Sequence, residues 1–431
     1  MAFENEELNQ RREARRQEQK FLAGQRRLLR IGVIMTALTL VLCGAALLIT
    51  MGIVSQPAEP SMEQTTQRPT QSHPTEPAPT QPVTPDTVIH FVAGGDVNVT
   101  DKTVSAGAAG SGYDYTSAFM DLVPTLASAD LAALNFEGSL YGAPYGDSKS
   151  APAALAQALR NAGVDILQTA NSQSVVNGLS GLTATLQGIR DAGMEPLGTY
   201  ASAEEFRKSG GYLIREVQGI RIAFVAFTKG MDGMGLPAGS EDCVNLLYKD
   251  YSSTYQTVDT EGITAVLKAA QAQKPDITIA LLHWGSEYNR KISKTQEKIS
   301  ELLLEQGVDA IIGTHSHYVQ EVKFDPRKGT VIAYSLGDFY GNGDTAGTDY
   351  TLLLDLEITK DGATGRVSIT GVDYTPVYLL DETESGGGLR LLRIREAMAA
   401  YEQNTVNKVS QEAYLAMKNA LEKIESRMDI A

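Results

Sequence analysis

The chain sets its apolar residues in two rhythms, and one stretch carries no charge at all. The first rhythm is a short apolar run closed by a polar cluster. It recurs at residues 88–93, 131–134, 164–169, 277–282, 308–312 and 330–335 and predicts strands. The second repeats apolar positions at helical spacing, over 115–128, 155–162, 182–192, 257–273 and 293–306, with Gly193 and Gly307 as stops. Residues 212–217 and 221–227 predict a hairpin around Gly219. Residues 350–358 and 365–375 predict further strands, and 389–427 an amphipathic helix with a break near Asn404. Strands alternating with helices predict an α/β domain.

The uncharged stretch is 31–54, long enough to span a bilayer. It exceeds the apolar part of a signal peptide, and no small-residue cleavage site closes it. Leu42 stands where a lipoprotein signal before Cys43 needs a small residue. Arg26, Arg27 and Arg30 precede the stretch and no basic cluster follows it. The expectation is a single-pass cell-membrane anchor, with residues 1–30 as a cytoplasmic basic tail and everything after 54 outside the cell. Residues 55–86 hold eight of the sixteen prolines and almost no large apolar side chain, so they read as a spacer. Its reach is about 100 Å as polyproline and roughly 30 Å as a coil.

Residues 87–380 then form the main domain and 381–431 a C-terminal helical tail. The whole chain carries −15. The basic tail contributes +3 and the spacer −3, so the exported part is itself −15. That balance argues against nucleic acid as a partner and against docking on anionic lipid. The exported part has one cysteine, Cys243, so no disulfide closes within it.

Three of the five histidines fall between residues 283 and 317. The predicted strand–helix–strand unit there puts His283 beyond one strand end and His315 and His317 beyond the next, where open α/β sheets build sites. In extended backbone, residues two apart point to one side. Three converging imidazoles suit Zn, Mn or Fe; the alternative is three strand-end side chains bonded to loop backbone. Asp96 follows Gly94-Gly95 after the first strand. Glu137 precedes Gly138 after the second, and Asn171 follows the third. Asp96 alone reads better as a turn carboxylate; the recurrence makes all three site candidates. The Gly- and Met-rich loop 229–240 either lines a cleft or is mobile.

In order, GGDVNV, ADLAALNFEGSL, TANSQSVVNGLSGL, LLHWGSEY, IIGTHSHYVQ and VIAYSLGDF resemble the motifs of the bacterial CapA family of poly-γ-glutamate capsule synthesis proteins. The resemblance covers residues 88–377. That family in turn resembles the calcineurin-like metallophosphoesterases. The implied fold is an α/β sandwich of two mixed sheets flanked by helices, here preceded by one transmembrane helix. The implied ligands are Asp96, Glu137, Asn171, His283, His315 and His317, holding two divalent transition-metal ions (Mn, Fe or Zn). Asp338 stands where the family has Asn, and a carboxylate there can orient a ligand imidazole. Two positions depart further: the family's histidine is Gln173, and its aspartate is Val176. In the phosphoesterase relatives that histidine is the proton donor, and a glutamine amide does not titrate.

The implied function is a membrane-anchored, extracytoplasmic component of the synthesis or export of a poly-γ-glutamate-type polymer. Its expected partners are an anionic polymer or phosphate ester and the membrane proteins of a polymer-synthesis complex. The alternative is a metal-dependent hydrolase of envelope phosphate esters or polymers, with Gln173 and Asn171 at its catalytic position. A purely structural envelope protein is the third possibility, and the histidine set disfavours it.

Overall fold

Every apolar run assigned above to a strand pairs into one of two sheets. The structure, a computed structural model, describes residues 84–430 apart from 342, 384–385 and 406–407. The expected membrane span 31–54 and nearly all of the spacer lie outside these residues. Among the described residues no helix is long and apolar enough to cross a membrane.

In chain order the strands of the two large sheets are β1 (Thr87–Asn98), β2 (Leu131–Glu137), β3 (Ile166–Gln168), β4 (Glu195–Leu197), β5 (Tyr212–Val217), β6 (Ile220–Thr228), β7 (Ile277–His283) and β8 (Ala310–Thr314). Then follow β9 (Val322–Asp325), β10 (Thr330–Ala333), β11 (Asp338–Tyr340), β12 (Tyr350–Lys360), β13 (Val367–Glu382), β14 (Gly388–Arg393) and β15 (Met428–Asp429). The first sheet has the order β14-β13-β12-β1-β2-β3-β4, with β11 beside the end of β1. The second has the order β15-β9-β10-β8-β7-β6-β5. Both mix parallel and antiparallel pairs: β1 runs parallel to β2 and antiparallel to β12, and β6 runs parallel to β7 and antiparallel to β5.

The main core lies between the sheets. Ile89, Phe91 and Ala93 of β1 share one buried cluster with Phe224, Ile279 and Ile312 of the second sheet. Phe91 and Phe224 meet with ring centroids 5.1 Å apart. The longer helices are α1 (Ala153–Ala162), α2 (Gly178–Asp191), α3 (Ala203–Ser209), α4 (Thr260–Gln271), α5 (Lys294–Glu305), α6 (Ile394–Glu402) and α7 (Gln411–Glu425). Ile394 of α6 and Met417 and Ile424 of α7 join the cluster between the sheets, while alternate strand residues face outward onto α1, α4 and α5. Val92 and Leu134 pack with Leu155 and Leu159 of α1. Val225 and Ala280 pack with Leu267 of α4 and Leu303 of α5. Burial on both faces is why these strands read as near-continuous apolar runs. Helix α5 matches its expected span: Ser293 and Gln296 form a reciprocal cap at its start, and Gly307 at φ 81° follows its end.

The structure differs from the sequence expectation in several places. Residues 115–128 are helical in short pieces, Thr116–Phe119, Met120–Leu122 and Val123–Leu126, because Pro124 offers no N–H to continue the ladder. Residues 388–393 are the strand β14 rather than helix. Leu389, Leu391 and Leu392 are buried there while Arg390 is half-exposed, an alternation too short and too imperfect to stand out beside the helical pattern of α6 and α7. Finally β4, β9, β11 and β15 are two to four residues long, too short to carry a period of their own. With β14 on the first sheet and β15 on the second, the C-terminal residues belong to both layers.

Candidate functional site

Strand β1 continues past Gly94-Gly95 to Asn98, with a register shift between Ala93 and Asp96. A Cβ on Gly95 would stand 1.7 Å from the Gly337 carbonyl oxygen, so only glycine lets β1 close against the turn before β11. That approach sets the Asp96 N–H on Gly337 O at 3.0 Å and aims the Asp96 side chain inward. Glu137 ends β2, and both carboxylates are buried. His283 ends β7, paired in register with Thr314 at the end of β8.

His315 and His317 lie just beyond β8, but not in extended backbone as expected. Their φ values are 91° and 59°, a left-handed conformation that costs a non-glycine residue of order 1 kcal/mol or more. Two hydrogen bonds hold the turn: His315 N donates to Asp96 Oδ2 at 3.0 Å, and Tyr288 N donates to Ser316 O at 3.0 Å. The two imidazoles still converge, with centroids 6.4 Å apart, and His315 lies 4.4 Å from His283.

Five of the six expected ligands meet here in two groups. Glu137, His283 and His315 offer ligand atoms all within 4.8 Å of one another, and so do Asp96, Glu137 and His317. Glu137 belongs to both. The sixth, Asn171, stands beside them. Its Nδ2 donates to Asn135 Oδ1 at 3.0 Å and to Phe136 O at 2.7 Å, and its Oδ1 accepts the Gln173 N–H at 3.0 Å, which leaves that oxygen one lone pair.

The donor set fits a cation. Of three buried side-chain atoms without a hydrogen-bond partner among the described residues, two are Glu137 Oε2 and His315 Nδ1, in the same group. A buried polar atom left unpaired costs about 1–3 kcal/mol. Burial raises the Asp96 pKa to about 6, eased by His317, and burial with Asp96 nearby raises Glu137 further above the carboxylate range. Burial depresses His283 well below the usual imidazole value and, with Lys229 adjacent, His315 to about 3. Neutral imidazoles beside carboxylates that resist ionisation are what a bound cation relieves. His317 differs: burial opposes its charge, but hydrogen bonds with Asp338 and Glu287 outweigh that and raise its pKa.

Neighbouring side chains fix the orientations. Asp338, singled out above as a carboxylate able to orient an imidazole, meets His317 Nδ1 at 2.7 Å and accepts Asn98 Nδ2 at 2.8 Å. His283 Nδ1 lies 3.1 Å from Thr314 Oγ1 and 3.2 Å from Asn135 Nδ2, while its Nε2 lies 3.1 Å from Ser172 Oγ. Asn135 Nδ2 also donates to Asp96 Oδ1 at 2.5 Å. Sequence reasoning passed over Asn98, Asn135, Ser172 and Thr314, although each lies within a quoted motif. It also missed Lys229, whose Nζ is 3.2 Å from His315 Nε2, a polar residue directly after β6 like the others at strand ends. A cavity of about 220 Å³ opens beside the cluster, lined by Glu137, His317, Asp338, Gln173, Lys149 and Tyr288 among others. Gln173 Nε2 reaches Asp232 Oδ2 at 3.4 Å, so the loop 229–240 touches a residue that lines the cavity. A larger cavity of about 780 Å³ lies between Met120, Arg390 and Lys408, away from these groups.

A family model described as "Bacterial capsule synthesis protein PGA_cap" matches residues 90–343, a span that contains every residue of both groups. The chain belongs to that family. It is 27% identical over 261 residues to "Capsule biosynthesis protein CapA" of Bacillus anthracis, covering 58% of this chain and 59% of that one. It is 26% identical over 215 residues to "PGA biosynthesis protein CapA" of Bacillus subtilis (strain 168), covering 50% and 52%. The match thus spans between half and three fifths of these relatives. Among solved structures, a putative 5'-nucleotidase from Staphylococcus aureus overlaps with TM-score 0.44 at 12% identity, over 78% of this chain and 58% of that one. A phosphatase from Mycoplasma pneumoniae overlaps with TM-score 0.42 at 14% identity, over 67% and 94%. The α/β reading with two mixed sheets rests on the strand order itself.

Proposed function

We propose that this chain is a membrane-anchored, extracytoplasmic component of a poly-γ-glutamate-type capsule or envelope-polymer system, and that its strand-end cluster holds two divalent transition-metal ions. Membership of the capsule synthesis family supports the first part, and the uncharged run 31–54 behind three arginines supports the anchor. One observation carries the second part: Glu137 serves both ligand groups, the arrangement that lets one carboxylate bridge two ions. His283 and His315 would complete one position, Asp96 and His317 the other, and Asn171 would add its amide oxygen. When bound, such ions polarise a phosphoryl or carbonyl oxygen and lower the pKa of bound water.

The chain's own residues set how far chemistry could go. Asp338 fixes the His317 ring, and Thr314 with Asn135 fixes His283. Gln173 lines the cavity but cannot donate a titrating proton, and a general acid contributes typically ~10²- to 10⁴-fold. This favours holding or guiding an anionic polymer over fast cleavage. The second reading, a slow metal-dependent hydrolase, draws on the cavity that opens directly beside the cluster.

The test incubates the metal-loaded full chain with a γ-linked glutamate oligomer and, separately, with an aryl phosphodiester. Retention of the oligomer without cleavage supports the component reading, and aryl turnover supports the hydrolase. Neither outcome in a metal-loaded chain sinks both. For the anchor, protease added to wall-stripped cells should remove the domain; protection of the domain while an N-terminal tag is cut reverses the topology.

A further inference from the structure

Lys149 is presented to the cavity by a loop built to hold it. The loop leaves Glu137 at the end of β2 and returns at Ser150, whose backbone pairs with Ser139. Lys149 O accepts the Ser139 N–H and Lys149 N–H donates to Gly146 O, both at 2.7 Å. Asn177 of the turn before α2 locks the same loop, donating to Ser139 Oγ at 2.7 Å and to Ser148 O at 2.9 Å. Within this frame Lys149 sits at φ 59°, a conformation natural to glycine and strained for lysine. The Lys149 side chain lines the cavity, half-buried. Among the described residues it makes no ion pair.

Of the other charged side chains around the cavity, Asp344 pairs with Lys102, Asp338 and Glu287 pair with His317, and Glu137 is shared by the two ligand groups. Among the described residues that line the cavity, Lys149 is the cation without an ion pair.

We infer that Lys149 binds an oxyanion of the site's ligand, a carboxylate or a phosphate, in the cavity it shares with Glu137 and His317. The inference rests on the proposed metal-bearing reading of the same cavity. At about 220 Å³ the cavity admits one charged unit of a polymer or one phosphate ester, below the size of ordinary drug-sized pockets. The lysine then selects the anionic unit, while Tyr288, half-exposed and stacked on His317 with centroids 4.9 Å apart, borders the same opening.

The test uses the full chain, loaded with manganese and titrated calorimetrically with inorganic phosphate and with a γ-linked glutamate trimer. The two probes separate the phosphate source from the carboxylate source. Three proteins are compared: wild type, Lys149→Arg and Lys149→Gly. Glycine suits φ 59°, so Lys149→Gly should melt no lower than wild type, hold the same metal, and bind the preferred probe about tenfold more weakly or worse, the scale of a lost charge-assisted hydrogen bond. Lys149→Arg should retain most of the binding. Unchanged binding in Lys149→Gly overturns the inference, as does a metal-loaded wild type that binds neither probe. A wild type that holds no metal yet loses anion binding in Lys149→Gly overturns the metal reading and leaves Lys149 standing.

Discussion

The two sheets bring different chemistry to one place. The first supplies oxygen, from Asp96 in β1, Glu137 at the end of β2 and Asp338 at the start of β11. The second supplies nitrogen, from His283 at the end of β7, His315 and His317 after β8, and Lys229 after β6. Neither half is a site by itself, because each ligand group takes residues from both sheets. Burial pushes the halves the same way, toward loss of charge: Asp96 and Glu137 upward, His283 and His315 downward. The oxygen half is therefore the one that needs a cation, and His283 and His315 supply lone pairs without adding charge; His317, whose pKa Asp338 and Glu287 raise, is the exception. What joins them is the apolar layer between the sheets, so the site depends on packing at a distance from it.

The comparison can be broken most severely at the oxygen half. Gly95→Val should cost roughly 3 kcal/mol or more of stability, since its Cβ would overlap the Gly337 carbonyl. Urea denaturation measures this, and a midpoint close to wild type would show that the junction yields easily. A milder break separates shared from unshared ligands. Glu137→Gln should remove most metal from both positions, whereas His317→Ala, which touches one group, should leave about half. Equal losses in the two variants would remove Glu137 from its bridging role.

Smaller effects sharpen the picture. Asp338→Asn weakens the partner of His317 without removing a ligand and should lower metal affinity roughly 10–100-fold, as loss of such orienting contacts does. Competition with a chelating dye reads it. The smallest effect belongs to Gln173→His. Val176 supplies no carboxylate, but Asp232 lies 3.4 Å from the Gln173 amide and could orient an imidazole. Turnover of alkyl phosphodiesters, which need a proton on the leaving group, should rise more than aryl turnover, by roughly tenfold and short of the ~10²- to 10⁴-fold of a fully placed acid. Equal ratios in both proteins would dismiss this account of Gln173.

Much of the oxygen and nitrogen halves was legible because each residue follows an apolar run that could only be a strand. Asp96, Glu137, His283, His315 and His317 were reached that way and by family motif, and the structure brings them within one cluster. The long buried strands β1, β7 and β8 announce themselves through runs of Val, Ile and Leu. The manner of convergence was not legible. Left-handed φ at His315 and His317 comes from tertiary hydrogen bonds to Asp96 and from Tyr288, which local propensity does not encode. Lys229 and Lys149 were hidden for a related reason: a lysine in a loop looks solvated until the fold shows what it faces. Strand β14 was misread because six residues beside two helices do not sustain a period of two.

The most direct test of the central claim is the metal content of the purified full chain, measured by elemental analysis alongside its melting temperature with and without chelator. Joined halves predict about two divalent transition-metal ions per chain, loss of most of them in a His315→Ala, His317→Ala double variant, and a lower melting temperature once chelator removes a ligand that binds only the folded state. A chain prepared from metal-replete cells that is metal-free, cooperatively folded and indifferent to chelator would contradict it.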